Sequence, residues 1–557
     1  MTKGNSKKSL RPWLKSYDPH VPSVIEYPQT NLAALFNAAS EKYPNRTFLS
    51  INKLEFSFSE IRELAENMAK NLILLGLRKG DRVALILPNI PQFVIGYFAV
   101  LKAGGIVVAM NPNYKQNEFK FLFEDCKPNF VICLDSHLEI IKDFEMNDNP
   151  NHIIETSLKE IPYLLKFPKR KTGDLQQDPI SFLEIIEPVL KISNFPYIKP
   201  DDAAVFQYSG GTTGVPKAAI GMHKNLIANV HQFQIWCDLK DGRETILAVI
   251  PLYHVYGMVL ALAMSATVGA KLILIDDPKD IDHILEEIEK QKVTFFPGVP
   301  SMYFAINQNK RVKDGKSSLR SIKACISGSA PLHPQIKEEF ERLTGGKLIE
   351  GFGLSEAPTA THCNPFYGKN KSGSIGLPLP NVDCRVVDID DGQTDKGIGE
   401  AGELILKGPQ VMKGYHNNPK ENKVALRDGW LYTGDIVSMD EEGYFYIIDR
   451  KKSLIKVGGF QVWPSEIEKI LNSHPIIRES AVAGVPDLEK GEKVIAWVVL
   501  KPREELKKNE IINWCEKQLV FYKLPSEIIF VEELPRTGIG KVLRRELIAG
   551  YIKKDPN

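Results

Sequence analysis

Cysteine is scarce and disorganised in this chain. Seven of the 557 residues are cysteine, an odd number, scattered from Cys126 to Cys515 and never in CxxC spacing. That argues against a disulfide framework and a structural zinc site, and for a reducing compartment. An excess of one charge is missing too: 71 Lys and Arg stand against 69 Asp and Glu, a net charge of +2. Such a chain has no global field to attract nucleic acid, so any phosphate must be held by a local device. Long apolar runs are also absent. The nearest, Val255 to Ile275, is broken by Ser265, Thr267, Gly269 and Lys271, whereas a membrane span needs about 20 uninterrupted apolar residues. It reads as a buried helix followed by a strand. The opening MTKGNSKKSLRPW is basic with no apolar stretch behind it, unlike a secretory signal, and no internal repeat or low-complexity tract appears. A cytoplasmic location is expected.

What is present is an ordinary globular balance, 43% hydrophobic and 25% charged, with length enough for about three or four packing units. Two stretches read as strand–helix–strand. In the first, Arg82 to Leu87 is a strand, a helix begins near Pro91, Ala103-Gly104-Gly105 stops it, and Ile106 to Ala109 follows. In the second, strand Lys271 to Ile275 precedes Ile281, Ile284, Leu285 and Ile288, which fall on one helical face, and strand Thr294 to Phe296. Units of this kind imply parallel sheets covered by helices, with ligands at the C-terminal ends of strands. After Arg450 the texture changes to a short helix from Pro464, strands Ser480 to Val485 and Val494 to Leu500, a helix Asn509 to Leu519 and a strand Glu527 to Val531. The expected fold is therefore α/β, with a large N-terminal domain of stacked doubly wound sheets (1–450) and a small mobile α+β domain (451–557). The charged run Asp449-Arg450-Lys451-Lys452 would be the hinge, where few apolar contacts could cross.

The loudest motif is Tyr208-Ser209-Gly210-Gly211-Thr212-Thr213-Gly214-Val215-Pro216-Lys217. Its glycines let backbone amides converge on an anion, its hydroxyls add donors and its lysine adds charge, which suits a polyphosphate. It is not a Walker loop, because Val215 and Ala218 stand where that pattern needs Gly and Ser or Thr. Two further segments, Ser327-Gly328-Ser329-Ala330-Pro331 and Gly351-Phe352-Gly353-Leu354-Ser355-Glu356, read on their own as glycine-rich corners ahead of helices.

Together with Ile250 to Gly257, Phe296 to Ser301, Tyr432-Thr433-Gly434-Asp435 and Pro535 to Lys541, these motifs resemble, in order, those of the adenylate-forming superfamily of acyl-CoA synthetases, firefly-type luciferases and peptide-synthetase adenylation domains. The resemblance spans about Leu32 to Leu547, and its wording is most like bacterial long-chain fatty acid:CoA ligases. It implies that ATP and an acid form an acyl-adenylate with release of pyrophosphate, and that coenzyme A then displaces AMP.

The resemblance assigns roles residue by residue. Ser209, Gly210, Gly211, Thr212, Thr213, Gly214 and Lys217 would cradle the phosphates. Ser329, Ala330, Pro331, Gly351, Phe352 and Gly353 would form the adenine pocket, with Phe replacing the family's stacking Tyr. Ser355 would bind phosphate, and Glu356 with Thr212 would hold Mg²⁺. Asp435 would accept hydrogen bonds from the ribose hydroxyls, and Arg450 would lie beside ribose and phosphate. Lys541 would bridge the substrate carboxylate and the α-phosphate. After rotation about Lys452, Gly458 and Gly459 would line the pantetheine tunnel. His254 would sit at the carboxylate end of the acyl pocket. The resemblance implies a medium- to long-chain fatty acid as substrate, and the apolar helix after His254, Met258 to Ala270, disfavours an amino acid, which would want an acid there for its amine. An aryl-acid:CoA ligase or a carrier-loading enzyme is the alternative, and a non-catalytic nucleotide binder on the same fold the distant one. No carrier segment follows Leu547, so free coenzyme A is the expected acceptor. The stretch Ile161 to Lys171 joins apolar to basic residues and fits either an exposed loop or a peripheral contact with an anionic membrane. Neither a monomer nor a homodimer is specified.

Overall fold

The strand Arg82–Ile86 alternates strictly between two interiors. In the computed structural model, which describes residues 11–142, 150, 152–165, 179–188, 194–209, 216–457, 460–487, 491–536 and 542–554, Val83 and Leu85 join one core, and Ala84 and Ile86 another. The same period-two split runs through Ile106–Ala109 and Phe130–Leu134, so both faces of the sheet are covered. Helix Pro91–Lys102 covers the first face, buried along almost its whole length, while Phe119, Leu122 and Phe123 of helix Gln116–Cys126 cover the second. The sheet has seven strands, in the order Ile180–Ser181, His152–Thr156, Phe130–Leu134, Arg82–Ile86, Ile106–Ala109, Ala203–Ser209 and Lys217–Met222, and only the last pairing is antiparallel.

Behind the shared core stands a nine-stranded sheet: Leu377–Pro378, Ala357–Cys363, Lys347–Leu354, Ala324–Ser327, Phe295–Gly298, Thr245–Ala248, Lys271–Leu274, Thr47–Ile51 and Leu54–Ser57. Its middle is parallel and its two margins antiparallel. The two strand–helix–strand units thus lie in two different sheets, and the stacked doubly wound arrangement is the one expected. Between them runs the apolar stretch after His254, which is a helix but not a uniform one. An α turn, Val255–Gly257, passes into a π-helical segment Met258–Ala263 and then α-helix Met264–Val268, ended by Gly269 at φ +67°. Gly257 sits in the first turn because a Cβ there would lie 2.5 Å from the carbonyl oxygen of Pro251.

A third sheet has no counterpart in the sequence expectations. Asp383–Val387, Gly402–Lys407, Trp430–Met439, Leu426–Arg427 and Phe445–Arg450 form an antiparallel sheet. Then Ile455–Val457, Phe460–Val462, Ile477–Asp487, Gly491–Leu500 and Glu527–Phe530 build the sheet of the smaller C-terminal domain, flanked by helices Pro464–Asn472, Lys508–Glu516 and Arg544–Lys554. The large core ends at Tyr446, and the two C-terminal cores begin at Ile455. Among the described residues no helix is long and apolar enough to cross a membrane.

Candidate active site

The glycine-rich motif lies between two paired antiparallel strands. Strand Ala203–Ser209 leads into it and Lys217–Met222 leaves it, with Ser209 directly opposite Lys217. Gly210, Gly211, Thr212, Thr213 and Gly214 lie outside the described residues, as does the side chain of Ser209. The Lys217 ammonium pairs with the Glu421 carboxylate and lies 5.6 Å from the centre of the Tyr415 ring. The Lys217 hydrogen bond holds the Glu421 carboxyl below its ordinary value, and the nearby Lys452 charge adds to this. A phosphate at Lys217 would therefore exchange with an internal carboxylate rather than meet a solvated cation.

The two other glycine motifs sit side by side at strand ends. Gly298, Ser327 and Glu350 are neighbours in parallel register, and the buried Tyr256 hydroxyl donates to the Ile326 carbonyl at 2.7 Å, bracing them from below. Ser329 turns the corner at φ +71°, and helix Pro334–Thr344 follows, as expected. Gly351 to Glu356 departs from the corner-before-helix reading. Gly351 to Leu354 continue the strand, and a tight turn at Ser355-Glu356 leads to strand Ala357–Cys363. The hairpin also explains Gly353, where a Cβ would lie 1.7 Å from the Thr359 carbonyl oxygen.

Phe352 is half-buried, paired across the hairpin with His362, ring centres 6.0 Å apart. Burial pushes His362 down to about 3, so it backs Phe352 as a neutral ring between Thr361 Oγ1 at 2.9 Å and Cys384 Sγ at 3.6 Å. Glu356 Oε1 accepts a 2.7 Å hydrogen bond from the Tyr415 hydroxyl, and its carbonyl accepts one from the Met412 amide at 2.8 Å. Burial first, then Glu356, pushes the Tyr415 phenol well above its ordinary value, so it remains a donor.

Asp435 and Arg450 face each other across an antiparallel pair, Nε to Oδ1 2.6 Å, with side-chain exposures of 2% and 40%. The buried acid is thus held by a cation whose far side is open to a ligand. Arg450 is also close enough to Tyr415 to act on its phenol. The next residues tie down the chain with polar contacts: Lys451 pairs with the buried Glu403 at 2.7 Å, and Ser465 donates its amide to Asp449 at 3.0 Å. Lys452 is exposed in the single 3₁₀ turn Lys451–Ser453. His254 is half-buried, its Nδ1 accepting from the Tyr256 amide at 3.2 Å. Gly458 and Gly459 lie outside the described residues; the residues on either side of them, Val457 and Phe460, are paired. Lys541 also lies outside them, in a segment flanked by the paired Arg536 and Val542.

The structure thus brings Lys217, Glu356, Asp435 and Arg450 to one region through Tyr415, a residue that sequence reading passed over. Glu421 and Asn89 were missed as well. The Asn89 amide donates to Ala248 and Ile250 and accepts from Leu252, fixing the loop that carries His254. Glu350 left one signal, an acid ending the apolar run Leu348-Ile349. It accepts from the Leu332 amide at 3.3 Å, and burial pushes it up to about 7 against Lys337. For a metal, Glu356 offers a hard oxygen. Among the described residues no group of three or more His, Cys, Asp or Glu converges, and a single carboxylate completed by phosphate oxygens is how Mg²⁺ is commonly held.

Comparison with known proteins agrees with this geometry. The AMP-binding enzyme family matches residues 36–416, and the AMP-binding enzyme C-terminal domain matches 466–541. The chain is 40% identical to a long-chain-fatty-acid–CoA ligase of Bacillus subtilis over 97% of this chain and 98% of that one. Its fold matches ATP-bound MatB from Rhodopseudomonas palustris, TM-score 0.82, 28% identity, over 95% of this chain and 100% of that one. It also matches the anthranilate CoA ligase AuaEII in complex with anthranoyl-AMP, TM-score 0.80, 26% identity, over 94% and 97%.

Proposed function

From the premise that this chain belongs to the AMP-binding enzyme family and is an AMP-forming acid–thiol ligase using ATP and coenzyme A, we propose that its acid is a medium- to long-chain fatty acid. The observation that carries this is the full-length likeness to ligases named for long-chain fatty acids. The buried stretch Val255–Val268, free of any charged side chain, supports it, since an amino-acid substrate would need an acid for its amine. The likeness to an anthranilate CoA ligase favours an aryl acid as the second reading.

A carboxylate is a poor electrophile because its charge repels nucleophiles and oxide is a poor leaving group. Its attack on the α-phosphorus of ATP forms a mixed anhydride and expels pyrophosphate; the thiol of coenzyme A then attacks the acyl carbon and AMP departs. In this reading Phe352 stacks on adenine beside Ser329 to Pro331, Asp435 holds the ribose hydroxyls, and Lys217 and Ser355 bind phosphate with the 209–214 loop. Lys541 bridges the two reacting anions, lowering the cost of bringing them together. Mg²⁺, held by Glu356 and Thr212, would neutralise phosphate charge. The C-terminal domain (451–557) then turns about Lys452, removing Lys541 and bringing Gly458 and Gly459 to line the thiol's path.

ATP–pyrophosphate exchange across fatty, aryl and amino acids, followed by thioester formation, tests this. Exchange with fatty acids is expected. Lys541→Ala should abolish exchange, while thioester formation from pre-made acyl-adenylate survives. Exchange with aryl acids alone would overturn the substrate, and equal loss of both half-reactions would overturn the turning domain.

A further inference from the structure

We infer that Tyr415 is a positioning residue that sets Glu356 and Lys217 at a fixed separation, an inference that rests on the proposed reading of those two as metal and phosphate ligands. The two groups come from distant parts of the chain, and Tyr415 touches both. Its hydroxyl donates to Glu356 Oε1 at 2.7 Å, and its ring face lies 5.6 Å beneath the Lys217 ammonium. A ring in this place attracts the cation through its face and directs the carboxylate through its edge.

The post itself is held on every side. The Asn422 side chain clamps both backbone groups of Tyr415, accepting from its amide at 2.6 Å and donating to its carbonyl at 3.0 Å. On the other edge, residues 413 to 416 run beside strand Lys217–Met222 as an added strand. Ile220 donates to the Gly414 carbonyl, and Lys413 and His416 donate to those of Ile220 and Ala218, each at 2.9 Å. The Met412 amide meanwhile holds the Glu356 backbone. One short segment thus fixes the backbone of the lysine strand, the backbone of the acid and the Glu356 carboxylate, and sets a ring beside the Lys217 ammonium that Glu421 pairs. A residue needed only for packing would require neither the hydroxyl nor the double clamp. Groups that orient a metal-binding carboxylate from outside commonly matter about 10- to 100-fold in metal affinity or activity.

The test uses the full chain. Mn²⁺ binding to the protein with ATP is read by electron paramagnetic resonance, and Mg²⁺ dependence is read by pyrophosphate exchange with palmitate. Tyr415→Phe keeps the ring and removes the donor. It should weaken Mn²⁺ in the ATP complex by about tenfold or more and lower kcat, with the KM for palmitate and the thermal midpoint little changed. Asn422→Ala, which loosens the clamp without touching Glu356 or Lys217, should shift Mn²⁺ binding the same way and serves if the first variant does not fold. Mn²⁺ affinities of both variants within twofold of wild type would overturn the inference. Absence of exchange in the wild-type protein would overturn the ligase reading alone, because the Mn²⁺ comparison would still decide the role of Tyr415.

Discussion

Glu350 carries the clearest residue-scale consequence. Its carboxyl is pushed up from an ordinary 4.5 to about 7 by burial, so the fold favours its protonated form. A carboxyl raised in the folded state contributes stability that is fully present below pH 4.5 and is lost as pH rises through about 7. The loss is at most about 3 kcal/mol for a shift of this size. Glu350→Gln should therefore flatten the decline of the thermal midpoint between pH 5 and 8, and parallel declines in the two proteins would show that this half-buried acid is not its source. Gly353 gives a second case. A Cβ there would meet the Thr359 carbonyl oxygen at 1.7 Å, a backbone atom that cannot step aside. Gly353→Ala should cost about 3 kcal/mol or more, seen as loss of folded protein rather than as a change in nucleotide selectivity.

Elements differ in how openly the chain announces them. The helix after His254 was legible from its apolar run, but its π-helical middle was not, because a change of hydrogen-bond pitch leaves no periodic trace over six residues. The antiparallel sheet of residues 383–450 was missed since its strands are interrupted by charged and turn residues; Asp383–Val387 and Trp430–Met439 bury only part of their length. The short 3₁₀ segment Leu158–Tyr163 turns Ile161 and Leu164 inward and leaves Leu158, Tyr163 and Leu165 exposed. These exposed apolar side chains precede Lys169, Arg170 and Lys171, which lie outside the described residues. The combination fits a surface at which fatty acids partition. Changing the three basic residues to Glu should reduce sedimentation with anionic vesicles and leave binding to neutral vesicles unchanged; equal sedimentation of both proteins would leave an ordinary exposed loop.

At the scale of the molecule, no apolar core of the described residues crosses from Tyr446 to Ile455, and polar pairs such as Lys451 with Glu403 and Ser465 with Asp449 span the joint. Two bodies with their own interiors and a polar joint should unfold separately. Calorimetry of the full chain is expected to show two transitions, with a truncation ending at Arg450 retaining the larger one; a single transition lost on truncation would mean that the bodies stabilise each other.

Local geometry wrote much of this into the sequence. Alternation along Arg82–Ile86, the apolar face Ile284, Leu285 and Ile288, and the glycine motifs at strand ends are set by neighbours a few positions apart, so spacing alone reveals them. The partners of the site residues are another matter. Tyr415 lies 59 residues from Glu356, and Glu421 lies 204 from Lys217. No periodicity links positions so far apart, because which of them meet depends on the order in which strands join the sheets and on where a loop returns across them. The amino-acid pattern therefore decided which groups could do the chemistry, and only the packing of the sheets decided which side chains hold them in place.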